Sequence, residues 1–233
     1  MKPPANSSIE ATHETINIPV DGVVLEGELE LPENAPGVVI FAHGSGSSRH
    51  SPRNQFVARV IRDAGIGTLL IDLLTHAEDE RDAVSGALRF DIPLLAKRLA
   101  GVTRWLARHP NTRRLKPAYF GASTGGGAAL MAAATLGDRI CAVVSRGGRP
   151  DLAWDALPLV ASPTLLIVGG YDEMVIALND DAFARLRCEK DFRVVPGATH
   201  LFEEPGKLEQ VAQFSAHWFK EHMRVPVHQE DRA

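Results

Sequence analysis

A series of short apolar segments places the strongest limit on how this chain can fold. The segments occupy residues 37–42, 67–72, 118–121, 141–145, 164–168 and 192–195. They are continuously apolar rather than alternating, so each predicted strand is buried on both faces, and such strands need helices on both sides. The sequence therefore predicts an α/β fold, a three-layer sandwich with helices on both faces of a mostly parallel sheet.

The stretches between these strands carry helical patterns. Asp91 and Pro93 mark the start of one helix, as an N-cap and as a first-turn proline. Apolar positions recur every three or four residues in this helix and in one near the end of the chain, at Ile92, Leu95, Leu99, Val102 and Leu106, and at Leu208, Val211 and Trp218. A further helix is predicted over residues 179–186, with Asp180 and Asp181 capping its start.

The beginning of the chain has a different pattern. Residues 16–20 and 23–31 flank the dipeptide Asp21-Gly22, which favours the positive φ angles of a tight turn. We therefore expect an antiparallel hairpin before the parallel strands. The whole pattern predicts a mostly parallel sheet of about eight strands with about six helices.

A length of 233 residues suits one α/β domain. We expect that domain to span residues 13–223, with polar tails at residues 1–12 and 224–233. The longest excursion between predicted strands, residues 73–91, is mostly charged or small, so no separate cap domain is expected. Its acidic run, residues 78–80, is interpreted as a solvated loop, and we predict no metal site.

Charge and cysteine content exclude several classes of function. The formal net charge of −4 provides no overall positive field for nucleic acid. Cys141 and Cys188 lack CxxC spacing, which argues against a disulfide framework or a thiolate metal site. The N-terminus has no signal-peptide core, and no segment approaches the roughly 18 apolar residues that span a bilayer. We expect a cytoplasmic protein with a small-molecule substrate and neither nucleic-acid nor membrane partners.

The sharpest local motif is Gly-Ala-Ser-Thr-Gly at residues 121–125, between a predicted strand and a run of small residues. A serine in a tight strand-to-helix turn projects its hydroxyl above the sheet edge, and small residues two positions before and after it relieve the crowding. The alternative is a glycine-rich turn with a bystander serine. We predict Ser123 as the nucleophile.

A serine nucleophile needs a base and an acid that orients the base. His200 follows a predicted strand, whereas His217 and His222 lie in the closing helix and His228 in the tail, so His200 is the predicted base.

Asp172 ends the strand that precedes that of His200 and is the predicted acid. Asp151, which follows an earlier strand, is the reserve candidate, and Glu173 is expected to point elsewhere.

Acyl transfer also needs donors for the oxyanion. The backbone N–H of Thr124, which follows the nucleophile, is one candidate. The second is the Ser45 N–H in the glycine-containing loop after the first parallel strand. His43, at the end of that strand, is expected to brace the loop by hydrogen bonds rather than to act as a base.

Four segments, residues 41–46, 121–127, 169–175 and 196–206, together resemble those of α/β-hydrolases, and more narrowly of dienelactone-hydrolase-like serine hydrolases. This group includes hydrolase modules related to those beside bacterial phosphoribosyltransferase domains. The resemblance covers residues 15–222 and implies a triad of Ser123, Asp172 and His200, with Ser45 and Thr124 supplying the oxyanion hole. We expect no cofactor. Dienelactone hydrolases proper use a cysteine nucleophile where this chain has serine, which puts cleavage of dienelactone in doubt.

Basic residues form two further groups. The first lies between residues 96 and 116 and is interpreted as a solvent-facing stripe, with members Lys97, Arg98, Arg104, Arg108, Arg113, Arg114 and Lys116. The second, Arg146 and Arg149, follows a parallel strand at the predicted catalytic edge, where it could attract an anionic substrate or fix a loop. Arg146 is the candidate for substrate binding.

The sequence thus predicts a serine carboxylesterase for small soluble esters that works through an acyl-enzyme. A thioesterase or lactonase of the same fold and a non-catalytic binding or scaffold protein stay open as alternatives, because a fold alone does not fix activity. A dinucleotide-binding oxidoreductase is disfavoured, because the glycines of residues 121–127 do not fit GxGxxG.

Overall fold

The computed structural model describes residues 11–224, and the predicted tails fall almost entirely outside that range. The strands of this part are Thr12–Val20 (β1), Val23–Leu31 (β2), Gly37–Ala42 (β3), Gly67–Ile71 (β4), Lys116–Ala122 (β5), Val143–Arg146 (β6), Thr164–Gly169 (β7) and Lys190–Val195 (β8). The helices are Pro52–Asp63 (α1), His76–Ser85 (α2), Ile92–Leu106 (α3), Thr124–Leu136 (α4), Glu173–Arg185 (α5) and Lys207–Met223 (α6). None of these helices combines the length and apolar character needed to cross a membrane.

All eight strands join one sheet in the order β1-β2-β4-β3-β5-β6-β7-β8. The first two form an antiparallel hairpin with Val20 opposite Val23, and Asp21 and Gly22 turn with φ of 52° and 78°. The strand β2 also pairs antiparallel with β4, whereas β3 to β8 are mutually parallel where they pair. The predicted hairpin and mostly parallel sheet are confirmed.

Alternate residues of the central strand β3 belong to two separate cores. Val38 and Ile40 pack in the core that contains buried residues of α3 and α4. Val39 and Phe41 pack in the core that contains buried residues of α1 and α6. The three-layer arrangement predicted from the continuously apolar segments is therefore confirmed.

The predicted α3 and α6 are present over the expected residues. Asp91 caps α3, since its Oδ1 accepts a hydrogen bond from the Leu94 N–H at 3.0 Å. Pro93 lies in the first turn of the same helix, where its missing N–H costs nothing.

The prediction for the helix before β8 was wrong at its start. The helix α5 begins at Glu173, directly after β7 and its short turn, and not at residue 179. Asp180 and Asp181 therefore lie in its interior and cap nothing. Val175, Asn179 and Ala182 supply its buried face, and a polar Asn179 on this face obscured the helical period in the sequence.

The interpretation of residues 78–80 as a loop was also wrong, although Asp79 and Glu80 are exposed as expected. They belong to α2, which starts with a capping box in which the Thr75 side chain accepts from the Glu78 N–H and the Glu78 carboxylate accepts from the Thr75 N–H. Glu78 also binds Arg98 of α3 through two hydrogen bonds of 2.6 and 2.8 Å. Arg98 is only 3% exposed, so the predicted solvent-facing stripe fails at this residue.

This buried pair gives a testable contribution to stability. Arg98 lowers the pKa of Glu78 from 4.5 to about 2 by hydrogen bonding to the carboxylate. Glu78→Gln is expected to lower the free energy of unfolding by about 2 kcal/mol at neutral pH, because a buried guanidinium loses its charged partner. Urea unfolding of both proteins measures the difference.

The pH dependence follows from the direction of that shift. Because the folded-state pKa is depressed, the pair stabilises the protein fully above pH 4.5, and its contribution is lost as the pH falls towards 2. Glu80→Gln, in an exposed position on the same helix, is the matched control and should change little. Equal effects of the two substitutions would contradict the role given to Arg98.

Candidate active site

Ser123 occupies a sharp turn between β5 and α4. Its backbone has φ of 52° and ψ of −123°, a conformation that is strained for a residue with a side chain. The Ser123 N–H donates to the Arg146 carbonyl at 3.1 Å, and the Ser123 carbonyl accepts from the N–H groups of Gly126 at 2.9 Å and Arg149 at 3.0 Å. The end of β6 and the first turn of α4 thus hold the strained serine in place.

The two glycines of the motif are required by close backbone contacts. A Cβ atom on Gly121 would lie 2.5 Å from the Gly125 carbonyl oxygen. A Cβ on Gly125 would lie 2.1 Å from the carbonyl oxygen of Ala42 in β3. The start of α4 can therefore lie directly against the neighbouring strand only because these positions have no side chain.

Asp172 and His200 meet at the carboxyl edge of the sheet. Asp172 follows β7 and His200 follows β8, and the distance from Asp172 Oδ2 to His200 Nδ1 is 2.5 Å. The Asp172 side chain is 16% exposed and that of His200 is 38% exposed, so the carboxylate lies behind the imidazole. Because Nδ1 contacts Asp172, Nε2 is the ring nitrogen of His200 that can face a substrate or a nucleophile.

The loop that carries His200 is fixed by local hydrogen bonds. The Thr199 N–H donates to both carboxylate oxygens of Glu204 at 3.1 Å. Hydrogen bonding from the Thr199 side chain first, and from this N–H to a lesser extent, lowers the pKa of Glu204. Phe202 adopts a positive φ of 58° and its side chain is buried under the loop. His200 therefore lies on a turn that is held in place by hydrogen bonds and by a buried side chain.

The reserve acid and the other late histidines take no part in the contact between Asp172 and His200. Asp151, the reserve acid, binds the Arg149 guanidinium through distances of 2.7 and 2.8 Å. His217 is an exposed residue on α6, and His222 lies beside Trp218 of the same helix. His228 lies outside the described residues.

Ser123 and His200 line one cavity of about 240 Å³. Ser45 and Arg146 line it too, so four of the residues singled out from the sequence share this space. A larger cavity of about 770 Å³ lies near His43 and Asp72, but its lining includes neither Ser123 nor His200. The smaller cavity is therefore the candidate active site, although the larger one has more volume.

No hydrogen bond joins the Ser123 hydroxyl to His200 within residues 11–224, and the bond of the His200 ring runs from Nδ1 to Asp172. The bond from Ser123 to His200 that acyl transfer requires is thus not formed in this structure. In enzymes without substrate such bonds are commonly long and tighten when substrate binds.

The loop after β3 approaches the serine closely. A Cβ on Gly44 would lie 3.0 Å from the Ser123 Cβ. The Ser45 N–H, predicted to stabilise an oxyanion, donates to the Thr124 hydroxyl at 2.9 Å. His43 braces the loop as expected, since its Nδ1 lies 3.0 Å from the Gly44 carbonyl oxygen and its Nε2 accepts from the Leu73 N–H at 3.2 Å.

Sequence reasoning missed Arg53 and Asn54, which line the same cavity from the start of α1. The helix α1 directly follows the loop after β3, and the starts of such helices lie at the carboxyl edge of a parallel sheet. The position of α1 directly after this loop was therefore the sequence signal that its first residues would lie near the site. Arg149, by contrast, fixes a loop through Asp151.

Comparisons with known proteins show what the chain is similar to. No family model matches it. A dienelactone hydrolase from Anabaena variabilis is 56% identical in sequence, with a TM-score of 0.90 over 92% of this chain and 99% of that one. An α/β serine hydrolase without lid from Xanthomonas campestris shares the fold at 22% identity, with a TM-score of 0.68 over 91% of this chain and 94% of that one.

A protein of Mycobacterium tuberculosis that is named as a phosphoribosyl transferase is 55% identical over 213 residues. The match covers 91% of this chain and 47% of that protein, so the chain spans about half the length of the curated relatives it matches. The match to the hydrolase of Anabaena, in contrast, covers 99% of that chain. Together with the sheet order and the serine turn, this similarity shows that the chain belongs to the dienelactone hydrolase family of α/β-hydrolases.

Proposed function

We propose that this chain is a serine carboxylesterase in which Ser123, His200 and Asp172 form the catalytic triad. The observation that carries the proposal is the 2.5 Å contact between Asp172 and His200 at the cavity that Ser123 also lines. Family membership supports hydrolytic chemistry, and the strained turn at Ser123 supports its role as the nucleophile.

In this mechanism, Ser123 Oγ attacks the ester carbonyl while His200 Nε2 accepts its proton. The carboxylate of Asp172 orients the imidazole and stabilises its charged form. His200 then protonates the leaving alcohol, and a water molecule activated by the same histidine releases the acid. Two tetrahedral oxyanions form along this path, and each needs hydrogen-bond donors.

We assign those donors to the backbone N–H groups of Ser45 and Thr124. In the free protein the Ser45 N–H binds the Thr124 hydroxyl. A developing oxyanion is a stronger acceptor than a neutral hydroxyl, so substrate would displace the Thr124 side chain from this N–H. The Thr124 N–H lies in the first turn of α4, where it has no intrahelical partner.

The size of the cavity favours small esters. A volume of about 240 Å³ accommodates a short acyl or alcohol group but not a long lipid chain. Thioesters and lactones pass through the same kind of intermediate, so a substrate screen should include them beside esters of increasing chain length.

The mycobacterial relatives carry a phosphoribosyl transferase name, yet this chain corresponds to only about half of them. We propose that the matched half is a hydrolase module and that phosphoribosyl transfer belongs to the other half. We further propose a cytoplasmic location, which is supported by two free cysteines within the described part of the chain.

Covalent labelling separates an esterase from a binding protein of the same fold. A fluorophosphonate probe reacts with an activated serine, and we expect one equivalent to add to the native protein, as measured by intact mass, and to map to Ser123. Heat-denatured protein is the control and should stay unmodified. Absence of labelling in native protein would support the non-catalytic alternative.

A further inference from the structure

A second cavity of about 240 Å³ lies at the amino edge of the sheet, at the opposite end of the strands from Ser123. It is bounded by Val38 at the start of β3, by Pro117 at the start of β5, and by the last turns of α3 and α4 at Leu106 and Leu136. We call it the amino-edge cavity. Because it lies away from the candidate active site, a ligand bound here would leave Ser123 accessible.

The wall of the amino-edge cavity is mainly apolar. It is lined by buried aliphatic side chains, which are Val38, Leu106, Leu115 and Leu136. Two threonine hydroxyls in the wall already have partners, since Thr103 donates to the Leu99 carbonyl at 3.1 Å and Thr112 donates to the Leu106 carbonyl at 2.7 Å. Such a wall suits an apolar group better than ordered water, which needs several polar partners.

Three arginines form the rim of this cavity. Arg104 lies in the last turn of α3, Arg113 in the turn before β5, and Arg139 in the short 3₁₀ turn after α4. All three are exposed, and none of them binds a carboxylate within residues 11–224. By contrast, Arg62 and Arg89, which do not line the cavity, each form an ion pair. The rim thus carries three positive charges without a contacting acid from the described part of the chain.

The positions of these arginines are only partly explained by the helices. Arg104 and Arg139 lie at the carboxyl ends of helices, where a cation is favoured, but Arg113 belongs to a turn. The basic run between residues 96 and 116 was interpreted as a solvent-facing stripe, yet its exposed members Arg104 and Arg113 also line an apolar cavity. Cations around an aliphatic pocket are complementary to an anion that carries an apolar group.

We propose that the amino-edge cavity binds a medium-chain fatty acid, with the chain against the aliphatic wall and the carboxylate at the arginine rim. The volume is below the range of about 300–1,000 Å³ that is usual for small-molecule sites, so the chain must be short. Guanidinium groups bind carboxylates through paired N–H donors. This site goes beyond the proposed function and can stand or fail separately from it, because it needs neither Ser123 nor ester hydrolysis.

Isothermal titration calorimetry with octanoate tests the site. Octanamide has the same chain without the charge, and acetate has the charge without the chain. We expect octanoate to bind with a Kd at least about tenfold lower than that of either control ligand, because only octanoate uses both the wall and the rim. No binding of octanoate at millimolar concentrations, or equal affinity for octanoate and octanamide, would overturn the proposal.

The role of the rim is tested by Arg113→Gln, which should raise the Kd for octanoate about tenfold because it removes one guanidinium. The matched control is Arg108→Gln. Arg108 is an exposed arginine of the same basic run that does not line the cavity, so this variant should keep the wild-type Kd. Equal weakening in the two variants would indicate a general charge effect and contradict the site.

Ala107→Phe tests the cavity without changing its charge. Ala107 lines the cavity from the C-cap of α3, is exposed, and has φ of −64° and ψ of −9°, so a larger side chain is tolerated there and would occupy the space of the fatty-acid chain. We expect octanoate binding to be lost, while the unfolding temperature without ligand stays near the wild-type value. If octanoate bound this variant with the wild-type Kd, the ligand would lie elsewhere and the proposed site would be wrong.

Discussion

Ser123→Ala is expected to lower kcat/KM for p-nitrophenyl acetate by about 10⁴-fold or more, because it removes the atom that forms the acyl-enzyme. The fold should survive, since alanine and serine share the same cost of a positive φ at this turn. Stopped-flow kinetics measures the loss, and thermal unfolding confirms that the variant is folded.

The matched control for this experiment is Ser85→Ala, which removes an exposed hydroxyl at the end of α2. It should hydrolyse the ester at the wild-type rate and bind one equivalent of fluorophosphonate. The assignment of the nucleophile would have to be abandoned if Ser123→Ala still gave a burst of p-nitrophenol or still took up the probe.

The layered fold could be predicted because its signal is local. In β3, side chains on both faces are apolar, and the structure divides them between two cores, with Ile40 on one side and Phe41 on the other. The hairpin was equally accessible, because Asp21 and Gly22 carry the positive φ angles that their residue types favour. Each of these features is contained in a few adjacent residues.

Features that depend on a distant partner were not predictable in the same way. The ion pair of Glu78 with Arg98 joins residues on two helices, and the sequence does not reveal that Arg98 turns towards the core. The helix α2 itself had a local signal, because Thr75 followed by Glu78 is a capping-box pattern. The acidic character of residues 78–80 outweighed that pattern in the sequence interpretation.

The candidate site also combines features that have a local sequence signal with features that depend on a distant partner. The glycines around Ser123 specify the serine turn locally, and the contacts of Gly121 and Gly125 explain why. The choice between Asp172 and Asp151 could not be made by spacing alone, because both follow parallel strands. It depends on which carboxylate meets His200, and that is a property of how the loops pack.

Asp172→Asn is expected to lower kcat for ester hydrolysis by about 10³- to 10⁴-fold with little change in stability. The amide has the shape of the carboxylate, but it cannot stabilise the charged imidazole that forms when His200 accepts the proton from Ser123. It also permits the tautomer in which Nδ1 lacks a proton, so that Nε2 no longer accepts one. The rate of fluorophosphonate labelling should fall in parallel, because it too requires an activated serine.

Asp151→Asn is the matched control, because it makes the same chemical change in the reserve candidate. Its carboxylate binds Arg149 rather than His200, so kcat should stay within a small factor of the wild-type value. If Asp151→Asn lost activity and Asp172→Asn kept it, the acid would have been assigned to the wrong strand end. The 2.5 Å contact predicts the opposite result, since an aspartate that close to the imidazole is the one able to stabilise its charge when Ser123 attacks.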